Sequence, residues 1–163
     1  MTRVIGRTLM AAALALGAAA CSGGASSGGA AAEASMVSVP VTVTGAGGKH
    51  VFTAEVAKTA AQQEKGLMYR TGLTPDQAML FWPYPAGGGK PQVANFWMKN
   101  TPSALDIVFI RADGTVAHIA ENAVPYSEAL ISSGEPVGAV LEIAGGRSAE
   151  LGIKSGDKVT WQR

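Results

Sequence analysis

The chain has 163 residues, of which 13 are Lys or Arg and 12 are Asp or Glu, and its formal net charge is +1. Its cations form no run, so the chain lacks the basic footprint by which proteins bind nucleic acid. Cys21 is the only cysteine, which excludes an intramolecular disulfide and a cysteine-rich metal site.

The first 20 residues have the organisation of a bacterial secretory signal. Arg3 and Arg7 precede an apolar run over 9–20, which is too short for a membrane span of about 20 residues. Cys21 follows three alanines, as in a lipoprotein cleavage site, and we expect it to become the acylated first residue of the mature chain. A cleaved signal without lipidation is the alternative. Ser22, where retained lipoproteins carry Asp, predicts the periplasmic face of the outer membrane.

Residues 21–35 are almost entirely Gly, Ala and Ser, a composition that predicts a flexible tether. Residues 36–163 have the size of one ordinary domain. Loss of residues 1–20 removes two arginines and leaves 11 cations and 12 acids, a balance of −1. The expected partners are therefore the membrane, through the lipid anchor, and a small molecule or envelope component, but no nucleic acid.

Hydrophobic periodicity along the domain is mostly two, which is typical of strands. A hairpin is predicted from 37–43 and 51–56, and Thr59 and Gln62 form a capping box that predicts a helix continuing toward Tyr69. Asp113-Gly114 predicts a second hairpin. Further strands are predicted at 78–82, 93–98, 105–110, 115–120, 137–143 and 158–161, with a helical turn at 148–151. The expected fold is mainly β: a single-domain β-sandwich or partly open barrel with one or two short helices.

Seven segments in order resemble the motifs of the prokaryotic family called domain of unknown function 192. They are Gly66–Arg70, Ala78–Phe81, Phe96–Thr101, Leu105–Ile107, Pro125–Ser127, Val140–Glu142 and Gly152–Asp157. The resemblance spans about 51–159 and implies a compact β-rich domain, often exported, of unestablished activity. The chain departs from the family in its Gly-rich segment 83–91 and in lacking the cysteines that some members carry near Val124-Pro125, so a disulfide-dependent role is not expected.

Residues 95–119 concentrate polar side chains within apolar strands. Lys99, Asn100 and Asp106 lie where their neighbours predict burial, and a buried charge is costly unless it is paired. One interpretation is a structural ion pair between Lys99 and Asp106. The other is a ligand site with aromatic walls such as Trp97, closed over by the segment 83–91, which is expected to be an exposed and mobile loop.

Glu142 interrupts an apolar strand and raises a further alternative. It is expected to meet Arg70 or Lys99 across the sheet, and Asp106 and Glu142 together could act as paired carboxylates in a hydrolase. The ligand-site hypothesis comprises Trp97, Lys99, Asn100, Asp106 and Glu142. No metal or cofactor is predicted, because neither histidine has a second ligand at metal-site spacing.

These features predict an envelope-anchored module that binds a small ligand or envelope component and is not an enzyme. The alternatives are the hydrolase and a non-catalytic scaffold that contacts another envelope protein. An enzyme requires a pocket with a group of shifted pKa, whereas a scaffold requires an exposed apolar patch.

Overall fold

The computed structural model describes residues 36–162. Within this range the chain forms nine strands and two short helices. The elements are β1 (Ser38–Gly45), β2 (Gly48–Ala57), α1 (Ala60–Lys65), β3 (Gln77–Phe81), β4 (Gln92–Phe96), β5 (Leu105–Ile110), β6 (Val116–Ala123), β7 (Ile131–Val137), β8 (Ala139–Ala144), α2 (Arg147–Leu151) and β9 (Lys158–Trp161).

Seven strands form one sheet in the order β6-β5-β8-β3-β2-β1-β9, and β4 and β7 form a second, two-stranded sheet. The pair β2–β3 is parallel, whereas the other named pairs are antiparallel. A parallel pair requires a crossover connection. That connection contains α1.

The two edge strands of the large sheet approach each other at one end. Thr115 forms a bridge to Lys158, and the Val116 amide donates to the Asp157 carbonyl at 2.8 Å. These contacts curl the sheet into a half-barrel. The prediction of a mainly β domain with a partly open barrel and short helices is thus confirmed.

Each face of the curled sheet has its own hydrophobic core. The inner core includes Leu141 and Ile143 of β8, and Val116 and Val159 from the two edges. The outer core includes Val140 of β8 and extends to Ala94 of β4 and Val137 of β7. The small sheet therefore covers the outer face of the large one. Because side chains alternate along a strand, neighbouring residues of β8 enter different cores.

Local signals predicted most element positions; the main differences concern α1, β7, the end of β6 and the start of β2, which begins at Gly48, three residues before the predicted start. Thr59 and Gln62 form the expected capping box, but α1 ends at Lys65 because Gly66 takes a positive φ of 48°. Leu67 to Tyr69 therefore do not continue the helix, and Tyr69 is exposed. Strand β7 was not predicted, since its sequence contains Gly134 and Pro136 and alternates weakly. Strand β6 extends to Ala123, three residues beyond the predicted end.

Candidate functional site

A cavity of about 460 Å³ opens between α1 and the outer face of the large sheet. Its volume lies in the range of small-molecule sites. Four aromatic side chains line it together with polar groups of α1 and β8; the aromatic residues are Phe81, Tyr84, Phe96 and Trp97. We call it the aromatic cavity.

Phe96 is the aromatic residue of the cavity wall that contacts most of the other rings. Its ring meets Phe81 edge-on with centroids 5.0 Å apart, and it contacts Tyr84 at 5.9 Å and Phe109 at 6.0 Å. Edge-to-face pairs of this kind add stability beyond area burial. Burial also raises the pKa of the Tyr84 hydroxyl above its usual value, against the lowering effect of a hydrogen bond with the Asn95 backbone. The wall is therefore pre-formed.

Glu142 lies in the lining of this cavity, in the middle of the large sheet. Its strand neighbours across the sheet are Met79 and Ile107, both fully buried. Glu142 is only 4% exposed, and within residues 36–162 no group hydrogen-bonds its buried Oε2. Desolvation raises its pKa from 4.5 to about 8. At neutral pH the side chain is therefore mostly a neutral carboxylic acid facing a cavity.

Asp106 and Glu142 lie on opposite faces of the sheet. Asp106 pairs with Ile143, an inner-core residue, and Glu142 pairs with Ile107, an outer-core residue. Directly opposed residues of two strands share a face, so the two carboxylates point away from each other. The sequence-based hypothesis of a paired-carboxylate site is wrong for this geometry, because the two groups cannot reach one substrate atom.

Asp106 has a different set of partners from the expected one. Its Oδ1 accepts hydrogen bonds from the backbone amides of Asn122 (2.8 Å) and Gly146 (2.9 Å), and its Oδ2 accepts from the amide (2.7 Å) and hydroxyl (2.6 Å) of Ser148. The carboxylate thus caps α2 from another strand and ties it to β6. The predicted ion pair with Lys99 is wrong, because backbone donors already occupy both oxygens.

Lys99 instead lies at the rim of the aromatic cavity. Its Nζ is 5.0 Å from the centroid of the Trp97 ring and 3.9 Å from a carboxylate oxygen of Glu128. Arg70, the other suggested partner of Glu142, forms a bidentate pair with Glu55 at 2.7 and 2.8 Å. Neither cation is recorded in an ion pair with Glu142 among the described residues.

Asn100 shapes the backbone beside the cavity and is not part of its lining. It takes a positive φ of 54°, and its carbonyl accepts a hydrogen bond from the Tyr69 amide at 2.7 Å. The structure therefore brings Trp97, Lys99 and Glu142 to one cavity. Asn100 lies beside it and Asp106 on the other face of the sheet.

The segment 83–91 differs from the exposed loop that its composition predicts. Its first part is half-buried and anchored: the Tyr84 amide donates to Gly138 at 3.0 Å, and Gln63 Nε2 donates to the Pro83 carbonyl at 2.8 Å. Tyr84 to Ala86 form one wall of the cavity, and Gly87 and Gly89 are exposed. The repeated aromatic-proline pattern Trp82-Pro83-Tyr84-Pro85, rather than the glycines, is the informative signal.

Sequence reasoning also missed the contribution of α1. Ala60, Gln63 and Glu64 line the cavity, although no residue of the helix is fully buried. Gln63 and Glu64 are polar residues on a short helix, and this pattern usually indicates a solvated face. Only the crossover between two parallel strands places them beside Glu142.

Residues 36–162 contain no group of three or more His, Cys, Asp or Glu side chains that could hold a metal ion. Their two helices are too short and too polar to cross a bilayer. Cys21 and the segments 1–20 and 21–35 lie outside the described residues, so the expectations for the signal, the lipid anchor and the tether are untested by this geometry.

The chain belongs to the DUF192 family, whose model, described as an uncharacterized ACR, matches residues 41–161. The resemblance noted in the sequence is therefore confirmed. The family carries no assigned activity, so it defines a fold and not a reaction.

Two crystal structures are similar to the chain. A protein of unknown function from Novosphingobium aromaticivorans DSM 12444 is 52% identical, with a TM-score of 0.72 over 76% of this chain and 85% of that one. A protein from Sinorhizobium meliloti 1021, described as a candidate transcription regulator, is 43% identical, with a TM-score of 0.73 over 79% of this chain and 97% of that one. No curated protein matches the chain.

Proposed function

We propose that this chain is an exported, lipid-anchored protein whose domain binds a small organic ligand in the aromatic cavity, without catalysing a reaction. Glu142 is the polar contact at the cavity floor. One observation carries the proposal: the buried carboxyl oxygen Oε2 of Glu142 has no hydrogen-bond partner within residues 36–162, and this residue borders an open cavity.

Position 142 is energetically unfavourable for a carboxyl group. A carboxyl group between Met79 and Ile107 loses its hydration, and the described part of the chain gives it no hydrogen bond at Oε2 in return. An apolar residue of similar size would pack there at lower free energy. Groups with strongly shifted pKa values in clefts are typical of functional sites, so the domain accommodates a destabilising acid that a ligand can use.

The first prediction concerns the natural ligand. The tagged full-length chain, produced in its native host and extracted for mass spectrometry, should carry a small molecule that the Glu142→Gln variant retains at least about tenfold less, as expected for one lost buried hydrogen bond. Glu121→Gln makes the same chemical change at an exposed acid of β6 outside the cavity lining and should leave retention unchanged. Equal recovery from both variants would remove Glu142 from the site.

The second prediction concerns the anchor. The basic start, the apolar run and Cys21 have the pattern of a lipoprotein signal, so Cys21→Ser should abolish labelling by an alkyne analogue of palmitate and leave a precursor that is either uncleaved or released by another peptidase. Ser22→Ala is the matched control and should label normally. A Cys21→Ser chain that still labels would refute lipidation at this residue.

A scaffold that contacts another envelope protein is the second candidate function. Exposed apolar side chains lie on two loops: Tyr69 is in the loop after α1, and Val124, Tyr126 and Leu130 are in the loop between β6 and β7. Tyr69, Asn100 and Tyr126 all take positive φ values, and such strain clusters at functional sites. A Tyr69→Ser/Tyr126→Ser double variant that loses a co-purifying protein while retaining the small molecule would favour this candidate.

Transcriptional regulation, the description of the Sinorhizobium relative, is not carried over. The proposed mature chain has a balance of −1 and its cations are dispersed, so it offers no surface of the kind that binds the DNA backbone.

A further inference from the structure

We infer that the ligand of the aromatic cavity is a small organic ammonium, held by the Glu142 carboxylate within the ring of Phe81, Tyr84, Phe96 and Trp97. This inference rests on the proposed function and specifies its ligand class. It follows from the distribution of charge and aromatic rings over the cavity.

The aromatic lining favours a cation. Ring faces attract ammonium groups electrostatically, most strongly when water is excluded, and Trp is the best of these rings. The protein already uses this interaction at the mouth, where the Lys99 ammonium lies 5.0 Å from the Trp97 centroid. Among the described residues, no cation contacts the rings of Phe81, Tyr84 or Phe96 in this way.

The aromatic cavity has a buried acid at its floor and solvent-exposed charges at its rim. The titratable groups around the cavity are Glu142 on β8, Glu64 and Lys65 on α1, Tyr84, and Lys99 after β4. Glu64 and Lys65 are exposed and Lys99 is half-exposed, so water screens all three. Glu142 is the buried acid, and no cation is recorded in an ion pair with it among the described residues. A ligand ammonium would supply the missing counter-charge.

Binding of an ammonium involves a balanced proton transfer. In the free protein Glu142 is protonated at neutral pH; when the ammonium enters, the carboxyl O–H bond breaks, the proton passes to solvent, and the carboxylate pairs with the cation. No oxidant or further reactant is required. A neutral ligand would gain a single hydrogen bond at this position, and an anionic one would find its counter-charges only at the rim.

The test uses three probes of the same shape and different charge: benzylamine, benzyl alcohol and benzoate. Each is titrated into the full-length wild-type protein in detergent, and amide shifts of the cavity residues are followed by NMR. Benzylamine should bind at least about tenfold more tightly than benzyl alcohol, the difference expected for a desolvated ion pair. Benzoate should bind most weakly.

The pH dependence identifies the group involved. Because one proton leaves for each benzylamine bound, its Kd should fall by about tenfold per pH unit from about pH 6 up to the pKa of Glu142, and then level off. Calorimetry in buffers of different ionisation enthalpy should show release of close to one proton at pH 7. Benzyl alcohol should show neither effect.

Three variants separate the role of Glu142 from the roles of the other charged groups. Glu142→Gln should remove the preference for benzylamine and the proton release, whereas Glu121→Gln, the same change at an exposed acid of β6 outside the cavity lining, should retain both. Lys99→Met removes the competing ammonium from Trp97 and should strengthen benzylamine binding severalfold; an anionic ligand class would respond in the opposite direction.

The failures of the two proposals are distinguishable. If benzyl alcohol or benzoate binds as tightly as benzylamine at the cavity, or if Glu142→Gln keeps the preference, the ammonium inference is overturned while the binding function stands. If no probe gives saturable shifts, the inference is also overturned, and the natural-ligand extraction alone then decides the proposed function.

Discussion

Asp106→Asn is expected to destabilise the domain by about 3 kcal/mol or more, as when one partner of a buried charged network is removed. The aspartate is fully buried and accepts hydrogen bonds from three backbone amides and one hydroxyl. An asparagine replaces one acceptor oxygen by an NH₂ group, which would face the donors of Gly146 and Asn122 or those of Ser148. Denaturant unfolding followed by circular dichroism measures the loss.

Asp76→Asn is the matched control for this change. Asp76 is also an aspartate that contacts α2, because it forms an ion pair with Arg147 at 3.2 Å. Its side chain, however, is 76% exposed. Exposed ion pairs contribute little, so this variant should lose less than about 1 kcal/mol. Equal losses in the two variants would show that the Asp106 network does not hold α2 against β6.

Glu142→Gln is expected to stabilise the protein at alkaline pH and to remove most of its pH dependence between pH 5 and 8. Since the folded protein raises the pKa of Glu142 from 4.5 to about 8, the folded state binds this proton more tightly than the unfolded state does. The associated stability is fully present below pH 4.5, declines as the pH rises, and is lost once the pH has passed about 8. The full difference is on the order of 5 kcal/mol.

Thermal and urea unfolding of wild type and variant at intervals from pH 4.5 to 9 checks this expectation. The two proteins should have similar stability at the acid end, and the variant should be the more stable at the alkaline end. Glu64→Gln should reproduce the wild-type profile. A wild-type stability that rose with pH over this range would contradict a buried, protonated Glu142.

The local elements of the fold could be predicted because their signals are local. The Thr59–Gln62 capping box and the Asp113-Gly114 turn act within a few residues and determine their structure largely without tertiary contacts. Strand β7 escaped prediction because its conformation depends on pairing with β4. Its own residues, with a glycine and a proline, favour no strand.

The candidate site could be predicted only in part. Alternation along the strands indicated that Asp106 and Glu142 are enclosed, and both are buried. The partners of Asp106 could not be found, because they are mainly backbone amides 16 to 42 residues further along the chain, and an amide is present at every position except proline. Which face each carboxylate takes depended on the register between β5 and β8, which the sequence leaves open.

The position of β1 has a consequence for the order in which the domain folds. This strand is completed on one side by β2 and on the other by β9, so that Val41 pairs with Trp161 at the opposite end of the domain. Contacts between such distant segments slow folding, and here they cannot form until β9 has been synthesised. A nascent chain of this kind stays unfolded late, as the export proposed for this protein would require.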